Sequence, residues 1–295
     1  MSIFEGAGVA LVTPFKSDGI IDFRRLKHLV EFQIENGISS IIVCGTTGEG
    51  ATLNELEHEY VISACCEYAN GRVPVIGSTG SNNTKTAINL SKSALKSGVD
   101  GLLCITPYYN KTSQDGLRLY YNRIAESVDL PIIMYNVPSR TGLDLETDTI
   151  VKIFNENDNI IGIKEASGNL DKIRELRKLV SELAIYSGND NQIFDMMCLG
   201  AKGVISVVAN IFPYLTDKIV KSYLSGNVNE AKELQEKMMP LINALFPSGE
   251  PNPIAIKYAM EYMNLSSGVL REPLVPLTFE NQHILRKEIK KFTKK

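Results

Sequence analysis

Tryptophan is absent from the chain, histidine occurs three times, cysteine five times, and no run of about 18 apolar residues occurs. The histidines, His28, His58 and His283, are far apart and fall in stretches of helical period, which argues against a zinc-dependent site. A serine triad would need a histidine at the mouth of the fold derived below, and none is expected there. The cysteines Cys44, Cys65, Cys66, Cys104 and Cys198 form an odd set without Cys-x-x-Cys spacing. They read as reduced core residues. An excess of positive charge is also missing: 31 Lys and Arg against 34 Asp and Glu leave a net charge of -3 and no footprint for nucleic acid or an anionic membrane. The amino terminus has no basic segment leading into an apolar stretch, and the Asn-x-Ser/Thr triplets at Asn82, Asn89 and Asn264 have no meaning without secretion. The expectation is a cytoplasmic protein whose partner is a small molecule.

At 295 residues, 44% hydrophobic and 22% charged, the chain is long enough for one large domain or two ordinary ones. Short β-rich apolar runs alternate with amphipathic stretches up to about residue 210, the pattern of repeated βα units. Eight runs qualify as strands: Gly8 to Val12, Ser40 to Cys44, Val73 to Gly77, Gly101 to Thr106, Pro131 to Asn136, Ile160 to Lys164, Ala184 to Ser187 and Gly203 to Val207. Gly37, Gly71, Gly98 and Gly200 stand where left-handed helix ends are expected. Beyond Pro213 only helical periodicity remains, over 229–246, 252–264 and 279–292, with a proline-rich loop from Phe246 to Pro253. These features predict an α/β fold, a (β/α)8 TIM barrel over residues 1–225 with a C-terminal helical extension over 226–295 packed outside it.

Such barrels carry their chemistry on the loops after the strands. Those loops read Thr13-Pro14, Gly45-Thr46-Thr47-Gly48-Glu49, Gly77-Ser78-Thr79-Gly80, Thr106-Pro107-Tyr108-Tyr109-Asn110, Tyr135 to Arg140, Lys164-Glu165, Gly188-Asn189-Asp190 and Asn210. Lys164 stands out because it ends the apolar run Ile160 to Ile163. A buried ammonium is costly unless it is paired or deprotonated, so this side chain either extends its stem to solvent or presents a neutral, nucleophilic amine. Alternation along the strand puts Gly162 on the face of Lys164, leaving space beneath it, and Tyr135 with Ile133 on the neighbouring strand. A phenol beside an amine exchanges protons readily. The threonine loop offers hydroxyls and backbone amides to a carboxylate, whereas Gly77 to Gly80 has neither a dinucleotide fingerprint nor a Walker lysine, and Asp190 argues against the usual barrel phosphate site. With metal and triad set aside, the residues support Schiff-base chemistry on a keto acid, the imine making the adjacent C–H acidic.

Four segments taken together are specific. Gly45-Thr46-Thr47-Gly48-Glu49, Pro107-Tyr108-Tyr109-Asn110, Tyr135 to Gly142 and Gly162 to Gly168 resemble, in order over nearly the whole chain, the dihydrodipicolinate (4-hydroxy-tetrahydrodipicolinate) synthases. These are lyases of the pyruvate-dependent class I aldolase and N-acetylneuraminate lyase superfamily. The resemblance implies condensation of pyruvate with L-aspartate 4-semialdehyde, the entry step of diaminopimelate and lysine biosynthesis. It implies that Lys164 forms the imine with pyruvate, that no other cofactor and no metal take part, and that Tyr135 is the central acid/base. Thr46 and Tyr109 match the rest of a hydroxyl relay, Tyr109 reaching across a dimer interface. Thr47 matches the residue holding pyruvate's carboxylate, Ile205 a backbone contact, Gly188 a further substrate-binding position, and Arg140 the clamp on the semialdehyde's carboxylate. A homotetramer of tight dimers is implied as well. Where lysine-inhibited members carry a histidine and a glutamate, this chain has Glu55 and Thr86, although His58, Asn82 and Tyr108 match; weak or absent lysine inhibition is the expectation.

Two other readings compete. Another pyruvate lyase, such as N-acetylneuraminate lyase or a keto-deoxy sugar acid aldolase, would share Tyr135 and Lys164, but Thr46, Tyr108-Tyr109 and Arg140 favour the synthase. A non-catalytic keto-acid-binding regulator would be expected to have lost Lys164 or Tyr135, and both are present.

Overall fold

The computed structural model describes residues 2–293. Eight strands close a parallel barrel in sequence order: β1 (Gly6–Ala10), β2 (Ser40–Val43), β3 (Val75–Ser78), β4 (Gly101–Ile105), β5 (Ile132–Asn136), β6 (Ile160–Glu165), β7 (Ala184–Ser187) and β8 (Gly203–Ser206), with β8 returning to β1. All eight expected strands form. Their ends move by up to two residues, most at β1, which begins at Gly6, where Ala7 N donates to Asp217 Oδ1 at 2.8 Å.

Each strand is buried on both faces, so the sequence runs are apolar throughout and do not alternate with polar residues. Ile133, Tyr135, Ala184, Tyr186 and Ile205 point into the barrel, whereas Ile132, Met134, Ile185 and Val204 pack against the helices. The N-terminal end is closed by Phe4, stacked on Tyr186 at 4.5 Å between ring centroids, with the Tyr186 hydroxyl donating to Phe4 O at 2.9 Å.

The helices start and stop for local reasons. Asn54 and Glu57 form a capping box ahead of helix Glu55–Ala69. The four expected helix-end glycines all have φ between 69° and 86°, and Gly98 closes helix Thr84–Ser97 with φ 86°. After β8 come helices Pro213–Leu224, Val228–Leu245, Ile254–Tyr262 and Phe279–Thr293. The third begins two residues later than expected, because Pro251, Asn252 and Pro253 stay in the loop that passes over the barrel mouth. Among the described residues no helix is long and apolar enough to cross a membrane.

Two expectations need correction. Cys44, Cys65 and Cys104 are buried and Cys66 is half-buried, but Cys198 is exposed at the end of the short helix Ile193–Cys198. Gly162 does not leave space under Lys164: a Cβ there would lie 2.6 Å from Ala184 O and 3.2 Å from Ala184 Cβ. The glycine lets β7 approach closely. Gly162→Ala is therefore expected to destabilise the fold by about 1–3 kcal/mol, the usual effect of overpacking, read as a lower urea midpoint at unchanged slope.

Candidate active site

Strand register sets the centre of the site. Tyr135 on β5 lies level with Lys164 on β6, which lies level with Tyr186 on β7. All three point into the barrel, and the Lys164 Nζ stands 4.3 Å from the centroid of the Tyr135 ring. Lys164 is 7% exposed, so its stem does not carry the charge to bulk water.

A comparison within the chain makes this lysine unusual. Lys164, Lys172 and Lys257 are the buried lysines among the described residues. Lys172 pairs with Asp144 at 2.8 Å and with Glu165 at 3.5 Å, and Lys257 pairs with Glu49. Lys164 has no such ion pair among the described residues. Its surroundings are the Tyr135 ring and the more distant field of Asp190. Burial holds the Asp190 carboxyl above the usual carboxylate range, while hydrogen bonds and the charge of Lys164 pull the other way. Asp190 Oδ2 accepts from Val207 N at 2.9 Å and Val208 N at 3.1 Å. Those amides after β8 are therefore occupied by the protein's own carboxyl group.

The threonine loop is a tight turn, with Gly50 N donating to Gly45 O at 3.1 Å. Gly50 is required there, because a Cβ would lie 2.1 Å from Cys44 O. Thr46 lines a cavity of about 580 Å³ together with Tyr135, Arg140 and Tyr108. Thr47 is buried beside it and accepts from Asn252 Nδ2 at 3.0 Å. Arg140, in the short turn of helix Pro138–Thr141, donates from Nη2 to Asn252 O at 3.0 Å. Asn252 thus ties the threonine loop to the arginine.

Of the expected residues, Lys164, Thr47, Tyr109, Ile205 and Gly188 do not line this cavity, and Lys164 lies behind the Tyr135 ring that does. Tyr109 adopts φ 71° and is 92% exposed, pointing away from Thr46 and Tyr135 in its own chain. Ile205 fills the barrel interior, and Gly188 follows β7, its amide donating to Glu165 O at 2.8 Å. A side chain at Gly188 would come within 2.5 Å of Ala166 Cβ. His58, against expectation, does border the cavity, because helix Glu55–Ala69 starts beside the threonine loop. Its Nε2 lies 2.8 Å from Ser78 O, and burial pulls its basicity down, so it serves as a neutral ring bound to a backbone carbonyl. Among the described residues no cluster of three or more His, Cys, Asp or Glu side chains could hold a metal.

The dihydrodipicolinate synthetase family matches this chain over residues 3–292. The chain belongs to that family. It is 49% identical over 289 residues to the 4-hydroxy-tetrahydrodipicolinate synthase of Caldicellulosiruptor saccharolyticus, covering 98% of this chain and 97% of that one. The crystal structure of dihydrodipicolinate synthase from Aquifex aeolicus superposes with a TM-score of 0.95 at 41% identity, covering 98% of each chain. That of the Acinetobacter baumannii enzyme complexed with pyruvate superposes at 0.94 with 44% identity, covering 97% of this chain and 98% of that one.

The dihydrodipicolinate synthetase fold of this chain also uses residues that its sequence did not single out. Glu49 takes a left-handed backbone, φ 52°, at the end of the threonine loop, is 3% exposed, and holds both the Lys257 ammonium and Arg271 N, the latter at 3.0 Å. Lys257 also donates to Val269 O at 2.7 Å and lies 4.1 Å from the Phe15 ring centroid. Burial pulls its pKa down to about 8 against the opposing pull of Glu49. No spacing rule links Glu49 to Lys257 or Thr47 to Asn252. The only local signal was the rigid Pro251-Asn252-Pro253 bracket. Glu49→Ala, which strands the buried ammonium, is expected to destabilise the fold by about 3–5 kcal/mol in chemical denaturation, and Lys257→Met with Glu49→Gln to recover much of that loss.

Proposed function

We propose that this chain condenses pyruvate with L-aspartate 4-semialdehyde to give 4-hydroxy-tetrahydrodipicolinate, through an imine between Lys164 and pyruvate. The observation that carries this reading is the one buried lysine left unpaired among the described residues, set over a tyrosine ring, in a chain that matches synthases end to end. The unprotonated amine adds to pyruvate's keto carbon and water leaves. Loss of a proton from the methyl group gives an enamine, which forms the new carbon–carbon bond to the aldehyde. The semialdehyde's own amine then displaces Lys164 and closes the ring. Chemistry written this way uses no cofactor beyond the imine.

Tyr135 is the central acid/base in this scheme, because its ring already lies against Lys164. Thr46 continues a hydroxyl relay at the cavity wall, Thr47 holds pyruvate's carboxylate, and Ile205 and Gly188 contribute backbone contacts on the β7–β8 side. Arg140 binds the semialdehyde's carboxylate with a bidentate fork. Tyr109 completes the relay of a neighbouring subunit. An exposed phenol held out on a left-handed backbone supports that role and a tight dimer; the homotetramer built from such dimers rests on the family resemblance.

Borohydride reduction in the presence of pyruvate is expected to fix a mass adduct on Lys164, with none on Lys164→Ala; an adduct that persists in that variant overturns the assignment. Tyr135→Phe should lower kcat by about 10²–10⁴-fold. Turnover of aspartate semialdehyde, and not of N-acetylneuraminate or keto-deoxy sugar acids, separates the synthase from the lyases.

Glu55 and Thr86 line the same cavity as His58 and Tyr108. With no carboxylate at position 86 to meet an added ammonium, lysine is expected to inhibit weakly or not at all. Half inhibition at sub-millimolar lysine contradicts this.

A further inference from the structure

Immediately behind the inward-facing pair Tyr135 and Lys164, the next residues, Asn136 and Glu165, are level with each other and face away from the barrel interior. Asn136 is fully buried. Its Nδ2 donates to Asp144 Oδ1 at 2.7 Å and to both Glu165 oxygens at 3.0 Å, and its Oδ1 accepts from Leu145 N at 3.0 Å. Lys172 joins the two carboxylates from below, and Glu165 Oε1 also accepts from Ser167 N at 2.7 Å.

The chain therefore leaves β5 at Asn136, passes through Arg140 and returns at Asp144 and Leu145 to the same side chain. We propose that Asn136, Glu165, Lys172 and Asp144 are positioning residues that set the place of Arg140 relative to Lys164 by closing this loop onto the β6 terminus. The inference rests on the proposed role of Arg140 in holding the second substrate. One amide bridges the residue after the amine and the segment that returns from the arginine. A slip in the loop thus moves the second substrate's carboxylate against the enamine without moving Lys164 or Tyr135, which the barrel hydrogen bonds hold. Gln114 grips the same segment from outside, donating to Asp144 O at 2.9 Å and accepting from Glu146 N at 3.2 Å. Loss of the Asp144 carboxylate accordingly loosens the loop and leaves it in place. The Asp144 side chain is 50% exposed and Lys172 only 5%, so the former can be removed without opening the core.

Asp144→Ala and Lys172→Met are the test, with Lys172→Arg as the conservative partner. In the first two, the KM for aspartate semialdehyde should rise about tenfold, while the KM for pyruvate and the rate of borohydride trapping stay within about twofold. Amide exchange in the peptide covering residues 138–146 should accelerate there and nowhere else, and Lys172→Arg should restore both readouts. Equal changes for the two substrates, no change for either, or faster exchange across the whole molecule in Asp144→Ala overturns the proposal. If the wild-type protein does not turn over the semialdehyde, the functional reading fails and the local exchange alone decides whether these residues position the loop.

Discussion

The structure depends on one geometric constraint, the level pairing of β5 with β6 in a closed parallel barrel. Because side chains alternate faces and the strands run in register, Tyr135 and Lys164 both point inward, and the next pair, Asn136 and Glu165, both point outward. A shift of one residue on β6 would put the amine among the helices and the Glu165 carboxylate inside the barrel, and the same shift on β5 would exchange Tyr135 for Asn136. The two pairs are one arrangement seen from two sides. The inner pair is the one proposed to meet substrate, and the outer pair holds the loop that follows through Asn136.

Electrostatics then distinguishes the inner lysine. Lys172 and Lys257 show what burial normally demands, since each has a carboxylate within ion-pair distance. Lys164 has a ring face, and Asp190, whose carboxyl feels the charge of Lys164, is already engaged by the two amides after β8. A buried lysine without a dedicated counter-ion leaves its amine free of competing ion pairs, as an amine nucleophile requires. Composition could not separate the three. Lys172 lies in an ordinary amphipathic helix and Lys257 in another, and their burial follows from tertiary packing alone.

What was legible in the sequence followed from periods and punctuation. Apolar runs spaced by amphipathic stretches are local, so the eight strands and the loops after them could be read directly, with errors only at ends such as Gly6, where a distant Asp217 supplies the missing partner. Lys164 and Tyr135 could be placed together because strand ends of such a barrel converge on one mouth, whereas the roles expected of Thr46 and Arg140 came from the family resemblance. Tyr109 could be found and its placement could not, since a single chain leaves it 92% exposed. His58 escaped because a helix was taken to lie away from the mouth, whereas its first turns border it.

The residues least legible were those that join parts of the chain more than a hundred residues apart. Thr47 to Asn252, Arg140 to Asn252, and Glu49 to Lys257 and Arg271 all run from barrel loops to the segment after β8. The threonine loop is short and glycine-rich, as close backbone approach requires, and such a loop has little stiffness of its own. Those distant partners add to the order of the loop's own Gly50–Gly45 turn. Asn252 is the clearest case: its amide reaches the loop proposed to hold one substrate's carboxylate, and its carbonyl reaches the arginine proposed to hold the other's. The segment after β8 therefore reaches the site through a residue that touches Thr47 and Arg140 at once, which ties the spacing of these two groups, each proposed to bind a carboxylate, to packing outside the barrel.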